Sequence, residues 1–495
     1  MITIEKILDA QKTLSGFSAG RYEIIHTQYL QAVQQLHQKI VVLDDDPTGT
    51  QTVHDVSVYT SWDEDTLLGA FEAEPAMFFV LTNSRSFSEE RVRSEGRKLA
   101  ENIYRASKKT GKPFLLISRS DSTLRGHFPL ETEVLRQELE RLQQVTYDGE
   151  ILIPFFQEGG RYTLNDIHYV LQNGNLIPAA QTPYAGDQTF GYKHSNLKQW
   201  IAERTQQRVS ADQVISIGLD ELQAGDMEAV RGKLMAAHNF QKLIVNAVCY
   251  ADLEAFTVAL AQAIAAGKKF LFRTAASFPK VLGNISDRGL LQPEQLRADY
   301  TGTGGLIIVG SHVPKTTQQL EQLRQNPRVA FLEFNQHLIL DQQQFLAERH
   351  RVQRELETML REGKTVAVYT RRERLDVGTG DKEAELRLAN AISDALTGFV
   401  QNLSLRPAFL IAKGGITSSD IGTRGLLVQK AKVLGQIAEG VPVWKTGAES
   451  RFPGLVYVIF PGNVGDADTL RRAVETLCKA SNYDRATEEC DYGSK

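Results

Sequence analysis

Ile40-Val41-Val42-Leu43-Asp44-Asp45-Asp46-Pro47-Thr48-Gly49-Thr50-Gln51 sets four large apolar residues directly against three adjacent carboxylates and a Pro, Thr and Gly turn. A run so short and so apolar reads as a strand buried on both faces, as in a parallel sheet covered by helices. The three carboxylates would repel one another unless a cation, a proton or a substrate hydroxyl sat among them. One Asp would suffice to cap a turn, so three in a row point to a ligand. In open α/β sheets ligands bind beyond the carboxyl ends of the strands, and this turn occupies such an end.

The same grammar repeats outward from there. Met77-Phe78-Phe79-Val80-Leu81, Pro113-Phe114-Leu115-Leu116-Ile117, Glu150-Ile151-Leu152-Ile153 and Lys242-Leu243-Ile244-Val245 are further short apolar runs. Charged periodic stretches at 88–109 and 130–145 lie between several of them and predict helices, which gives βαβ alternation. The Gly and Thr cluster Thr301-Gly302-Thr303-Gly304-Gly305 precedes Leu306-Ile307-Ile308-Val309 and restarts the pattern. Strands are then expected at 365–369, 408–412 and 456–460, with helices near 383–403 and 467–480. The fold class is therefore α/β, with two layered domains of mostly parallel sheets and ligand sites at strand carboxyl ends facing an interdomain cleft. The expected division is an N-terminal helical extension over 1–38, a first domain over 39–300 and a second over 301–495.

With 495 residues, 42% hydrophobic and 23% charged, the chain has enough apolar material for two ordinary cores. A net charge of −4, with Lys and Arg spread along the chain, offers no footprint for nucleic acid or an anionic membrane. Cys249, Cys478 and Cys490 are far apart and lack CxxC spacing, which speaks against a disulfide framework or structural zinc. No apolar run is long enough to span a bilayer and the first residues lack a signal peptide's pattern, so the cytoplasm is the expected address. A homodimer is the base-rate expectation for assembly.

Each strand end carries its own chemistry. Thr82-Asn83-Ser84-Arg85 offers a guanidinium able to grip a carboxylate through two parallel hydrogen bonds. Ser118-Arg119-Ser120-Asp121-Ser122-Thr123-Leu124-Arg125-Gly126-His127 gathers two arginines, an Asp and hydroxyls, as recognition of a polyhydroxylated anion requires. Taken singly, any of these is as readily a surface ion pair, and Arg119 especially so. In the second half, Gly310-Ser311-His312 and Lys413-Gly414-Gly415-Ile416-Thr417-Ser418 are small-residue turns that let backbone amides surround a phosphate, and Pro461-Gly462-Asn463-Val464-Gly465-Asp466 closes the last strand similarly and offers its backbone to a nucleotide's base or ribose. None is a Walker A loop or a GxGxxG fingerprint, and a Gly turn alone is most often only a turn.

Taken in this order, the strand-end motifs resemble the four-carbon acid sugar kinase family over roughly residues 38–480. The carriers are Asp45, Asp46, Thr48 and Gly49, the Asp-Ser-Thr-Leu-Arg-Gly element at 121–126, Gly160-Arg161-Tyr162-Thr163, and Thr182, Asp187 and the stretch 192–197. Gly310-Ser311, Gly414-Gly415-Ile416-Thr417-Ser418 and Gly462-Asn463-Val464-Gly465 continue the match. The resemblance implies an N-terminal sugar-binding and a C-terminal nucleotide-binding domain, and ATP-dependent phosphorylation, with Mg2+, of a hydroxyl on acids such as erythronate, threonate or a 3-oxo-tetronate. It implies catalytic roles for Asp45 or Asp46, sugar-acid contacts at Arg85, Asp121, Ser122, Arg125 and Arg161, and ATP contacts at Ser311, Gly414, Gly415, Ile416, Thr417 and Gly462. Arg85 and Arg125 are expected to clamp the substrate carboxylate, and the metal ligands stay open. Asp44 and Pro47 stand where the family more usually has Ala and Phe, Arg273-Thr274-Ala275-Ala276-Ser277-Phe278 where it has a Gly-Ser-Ala-Gly turn, and Ile416 where it has an acidic residue. A branch acting on a branched oxo-acid such as 3-oxo-isoapionate stays open. Two rivals remain: a haloacid-dehalogenase-type phosphatase with Asp44 as nucleophile and Asp46 as acid and base, and a non-catalytic sensor of sugar acids.

Overall fold

The structure, a computed structural model, describes residues 5–15, 22–297, 302–373, 375 and 382–491. These fall into two compact units. One holds the chain up to Val53 together with Ser61–Asp287, the other His54–Thr60 together with the chain from Arg288 onward. Residues 300 and 301, where the sequence places its domain boundary, lie outside the described residues.

In the first unit the apolar runs become an all-parallel sheet of seven strands, in the order Ile215–Ile217, Gln241–Val245, Gly149–Ile153, Phe270–Thr274, Phe114–Arg119, Lys39–Asp44 and Met77–Leu81. Lys39–Asp44 is buried at every position, as a strand covered on both faces must be. Helix Glu89–Thr110 shows how the covering layer is written. Ser88 accepts a hydrogen bond from the Arg91 amide at its start, Gly111 ends it at φ +69°, and Val92, Leu99, Ala100, Ile103 and Ala106 form its buried stripe.

Register decides where the site falls. Asp44 lies opposite both Leu81 and Arg119, and Arg119 opposite Thr274. Four adjacent strands thus end level, and the turns that follow Asp44, Leu81, Arg119 and Thr274 emerge side by side.

Beside this sheet the unit carries a four-stranded antiparallel sheet of Leu8–Asp9, Asn175–Pro178, Ile167–Gln172 and Arg161–Leu164. Its two hairpins turn on Asn165-Asp166 and Asn173-Gly174, all four residues at positive φ, as tight two-residue turns require. The N-terminal extension contains helices Ala10–Leu14 and Tyr22–Gln34, and it also supplies the edge strand Leu8–Asp9 of this sheet. Tyr29 donates to the Val281 carbonyl at 2.6 Å and anchors the second helix.

In the second unit the order is Ser57–Tyr59, Lys430–Ala438, Val441–Thr446, Val456–Phe460, Leu410–Lys413, Leu306–Val309, Thr365–Thr370 and Val329–Phe334. The last five are mutually parallel and the first three antiparallel. Ile307, Ala367, Ile411 and Val458 of the sheet pack with Leu320, Leu323, Leu470, Val474 and Leu477 of helices Pro314–Leu323 and Thr469–Asp491. Val309, Lys413 and Phe460 stand in register, so the turns at Gly310, Gly414 and Pro461 meet at one end.

Candidate functional site

The acid turn after Lys39–Asp44 separates its three carboxylates by giving each its own partners. Asp44 points into the protein, 1% exposed, and meets Arg119 Nη1 at 3.1 Å. Burial, opposed by Arg119 and reinforced by Asp45 and Asp46, pushes its carboxyl up to about 7. A Cβ on Gly49 would sit 1.7 Å from Asp44 Oδ2, so the turn closes over this carboxylate only because residue 49 has no side chain. Asp44 is thus enclosed, with Oδ1 taken by Arg119 and the Asp46 amide, which counts against it as the exposed nucleophile that the phosphatase reading needs.

Asp45 and Asp46 share one cation. Arg85 gives Asp45 two hydrogen bonds, Nη2 to Oδ1 at 2.6 Å and Nε to Oδ2 at 3.2 Å, and its Nη1 reaches Asp46 Oδ2 at 3.2 Å. Ser120 adds a 2.5 Å bond to Asp45 Oδ2. The Asp46 Oδ1 accepts from the Thr48 amide at 2.8 Å and its hydroxyl at 2.5 Å. Burial acts to raise Asp46, but Arg85 and the two Thr48 bonds outweigh it and hold the carboxyl below its usual range. Asp46's side chain keeps 22% of its surface exposed against 2% for Asp45. All three nitrogens of Arg85 are thus closed onto carboxylates rather than held open as a clamp.

The turn after Phe114–Arg119 adds a second acid and arginine pair. Arg125 Nε donates to Asp121 Oδ2 at 2.8 Å, the Thr123 hydroxyl donates to the same oxygen, and Arg125 Nη1 stands 3.6 Å from Asp187. Against the effect of burial, Arg85 and Arg125 hold Asp121 well below the ordinary carboxylate range. The Ser122 carbonyl accepts from His168 Nε2 at 2.8 Å, while His168 Nδ1 meets the Thr163 hydroxyl at 3.0 Å. Burial pushes His168 down to about 4, so it is neutral, with its proton on Nε2 facing that carbonyl. Gly126, at φ +118°, lies where a Cβ would meet Ser120 Oγ at 2.8 Å and Arg273 Nη2 at 2.9 Å.

Arg161 comes from the antiparallel sheet, yet it joins Arg125 at one ring: their guanidinium carbons stand 5.7 and 5.2 Å from the centre of Tyr184. Arg161 donates to the Gly159 carbonyl and has no carboxylate partner among the described residues. Asp45, Asp46, Arg85, Asp121, Ser122 and Arg125 therefore gather at the level strand ends, and Arg161 reaches them through Tyr184. The sequence does not single out Tyr184, and it marks Arg273 only as part of a departing turn, without a role; Arg273 donates to Ser120 at 2.9 Å and pairs with Glu131 at 3.3 Å, itself bound by Ser84. Arg273 stands one residue before the end of strand Phe270–Thr274, level with the other site turns, and its place at a strand end is the signal the sequence offers.

In the second unit the three turns interlock through small residues. A Cβ on Gly310 would meet Thr417 Oγ1 at 2.3 Å, and one on Gly462 would meet Ser311 Oγ at 2.6 Å. Gly414 adopts φ +130° and its amide donates to the Phe460 carbonyl at 2.8 Å. Gly414 lies against Ser311 and Thr417, Gly462 lies against Ser311, Gly415 follows, and Ile416 projects from the turn at 74% exposure. An exposed Ile beside a polar turn is suited to the flat apolar face of a base.

Residues 40–282 match the family described as a sugar-binding N-terminal domain, and residues 306–470 the family described as a nucleotide-binding C-terminal domain. The chain belongs to the four-carbon acid sugar kinase family. Among solved structures it is similar to Haemophilus influenzae protein HI1011, at 16% identity and a TM-score of 0.59, covering 88% of this chain and 100% of that one. A Salmonella typhimurium LT2 protein described as a candidate tRNA synthase gives 16% identity and a TM-score of 0.62, over 88% and 98% of the two chains. These likenesses establish the two-domain α/β fold. No curated protein matches the chain by sequence.

The magnesium that such a kinase family implies finds no preformed cage. Among the described residues no three His, Cys, Asp or Glu side chains stand together to hold an ion. Asp420 is bound to Ser393 and Arg424, and Asp466 to Thr469 and Arg472. No helix among the described residues is long and apolar enough to cross a membrane.

Proposed function

We propose that this member of the four-carbon acid sugar kinase family transfers the γ-phosphoryl group of ATP to a hydroxyl of a small sugar acid of the erythronate, threonate or 3-oxo-tetronate kind. One observation carries the reading. A cluster of carboxylates, arginines and hydroxyls in the domain matched as sugar-binding accompanies, in one chain, a glycine-rich set of turns in the domain matched as nucleotide-binding.

The residues divide the work by what they leave free. Asp46, ionised and the more exposed of the pair, accepts the proton of the attacking hydroxyl. Phosphoryl transfer through a loose transition state asks little basicity of that group and much positioning. Asp45 holds Arg85 in place, which fixes Asp46 in turn. Arg161, with no carboxylate of its own, and Arg125 receive the carboxylate of the sugar acid over Tyr184. Asp121 and Ser122 face its hydroxyls. The acid's oxygen attacks the γ-phosphorus, the bond to the β-phosphate oxygen breaks, and ADP leaves from the turns at Ser311, Gly414–Thr417 and Gly462. Magnesium brought in with the nucleotide would neutralise phosphate charge, and no side chain of this chain is assigned to hold it.

The test is to incubate the purified protein with ATP, magnesium and a panel of four- and five-carbon sugar acids and oxo-acids, following ADP by a coupled assay and product by mass spectrometry. ADP release dependent on one acid, with a product heavier by one phosphoryl group, is the expected result. No acid-dependent ADP across the panel, with phosphate released from sugar phosphates in the absence of ATP, would overturn it.

A further inference from the structure

Three carbonyls in the second unit's turns are each taken by a buried or half-buried donor. Arg372 Nη2 donates to the Ser311 carbonyl at 2.7 Å, Lys413 Nζ to the Pro461 carbonyl at 2.8 Å, and the Thr316 hydroxyl to the Gly462 carbonyl at 2.9 Å. Lys413 and Thr316 are wholly buried. In a trans peptide the carbonyl and the next residue's N–H point in opposite directions. Fixing Pro461 and Gly462 by their carbonyls therefore turns the amides of Gly462 and Asn463 the other way. Neither amide has an acceptor among the described residues. Free amide donors on successive residues are the material from which backbone anion sites are built.

The cations that set these carbonyls lack counter-charges. Neither Arg372 nor Lys413 forms an ion pair with a carboxylate among the described residues. Arg372 Nη1 is buried without any acceptor, its Nε and Nη2 being used on Thr317 and Ser311. Besides the Pro461 carbonyl, Lys413 has the face of Phe460, 3.9 Å from its Nζ, and a second positive charge, Lys315, nearby. Burial first, and Lys315 second, push Lys413 down to about 7. Buried positive charge is costly unless something negative offsets it, and the described residues supply no carboxylate that does.

Resting on the nucleotide-binding reading above, we infer that Arg372, Lys413 and Thr316 are positioning residues that build a polyphosphate cradle. Lys413 and Thr316 align the Gly462 and Asn463 amides, Arg372 holds the Ser311 turn beside them, and the bound polyphosphate supplies the negative charge that Arg372 and Lys413 do not find among the described residues. The cradle is thereby selective for the triphosphate end of the nucleotide rather than for its base.

The experiment is isothermal titration of the full-length protein with ATP, ADP, adenosine and inorganic tripolyphosphate, comparing wild type with Arg372→Met, Arg372→Lys, Lys413→Met and Thr316→Val. In wild type, affinity is expected to rise with phosphate count. Arg372→Met and Lys413→Met should each weaken ATP and tripolyphosphate by about tenfold or more, the size of a lost charge-assisted bond. Adenosine should stay within about twofold, Arg372→Lys should recover part of the loss, and Thr316→Val should lose less than the charge variants. A variant that loses adenosine in the same proportion as ATP, or none that loses ATP, overturns the cradle. Wild type that binds tripolyphosphate through Arg372 but no nucleotide would keep the cradle and sink the nucleotide reading, while wild type binding neither sinks both.

Discussion

Replacing Gly49 by Ala isolates the device that keeps the acid turn closed. The backbone at Gly49 is not in the left-handed region, so alanine meets no conformational strain there, and Gly→Ala at a compatible site is worth about 0.4–1 kcal/mol in favour of folding. Its methyl, however, would lie 1.7, 2.1 and 2.2 Å from Oδ2, Cγ and Oδ1 of Asp44. The carboxylate must leave, and with Asp44 at 1% and Arg119 at 4% exposure it leaves a buried cation whose Nε already lacks an acceptor. Separating a buried pair costs about 3–5 kcal/mol, so Gly49→Ala is expected to destabilise by about 2–5 kcal/mol after the chain-entropy gain. In an Asp44→Ala background the same methyl faces no carboxylate, and its cost should fall to about zero. Urea unfolding of wild type, the two single variants and the double variant at pH 8 completes the cycle. A Gly49→Ala cost below about 1 kcal/mol, or an equal cost in both backgrounds, refutes the account of Gly49 as space reserved for a carboxylate.

Other consequences can be measured one by one. Asp46→Asn should lower turnover with the productive acid by about 100- to 10,000-fold while leaving ATP binding unchanged, and wild-type turnover would take Asp46 out of the chemistry. Arg161→Met should raise KM for the sugar acid by about tenfold or more with little change in kcat or in KM for ATP, because it removes an acid-binding group that no carboxylate among the described residues engages; an unchanged KM assigns the carboxylate elsewhere. Burial moves Asp44 up to about 7, so between about pH 4 and 7 the folded protein keeps a proton that the unfolded chain has lost. Stability from this group then falls as pH rises through that window and is level above it. Asp44→Asn, which cannot ionise, should gain on wild type across the same window by on the order of a few kcal/mol. A difference between the two proteins that does not vary with pH would show that Asp44 titrates normally.

What the sequence made legible was what a continuous apolar run can encode. Strands such as Lys39–Asp44, Met77–Leu81 and Leu306–Val309 are buried on both faces and announce themselves by composition. The antiparallel elements went unseen because they are written in alternation. Lys430–Ala438 alternates between exposed or half-buried and buried positions along its whole length, and Asn173-Gly174 between Ile167–Gln172 and Asn175–Pro178 is a hairpin signal in plain view. At the site, the acid turn, both arginine turns and the glycine turns could be picked out by residue type. The division of labour among them could not, because it depends on side-chain geometry. Whether Arg85 grips a ligand or Asp45 and Asp46, and whether Lys413 faces water or the Pro461 carbonyl, is decided over about an ångström. Gly49 and Gly126 looked like ordinary turn glycines until the atoms their missing side chains make room for were known.

The short segment His54–Thr60 has a consequence for anyone who divides this chain. Its strand Ser57–Tyr59 pairs with Lys430–Lys432, and Asp55 binds Arg288 and Lys432, so a stretch encoded early belongs to the later unit. A fragment beginning at residue 288 would be born without one of its own strands. Lys430–Ala438 would become a bare sheet margin, open to pairing with any passing copy. Residues 54–60 grafted back through a linker, or supplied as a separate peptide, are what such a fragment would need to stay monomeric in solution.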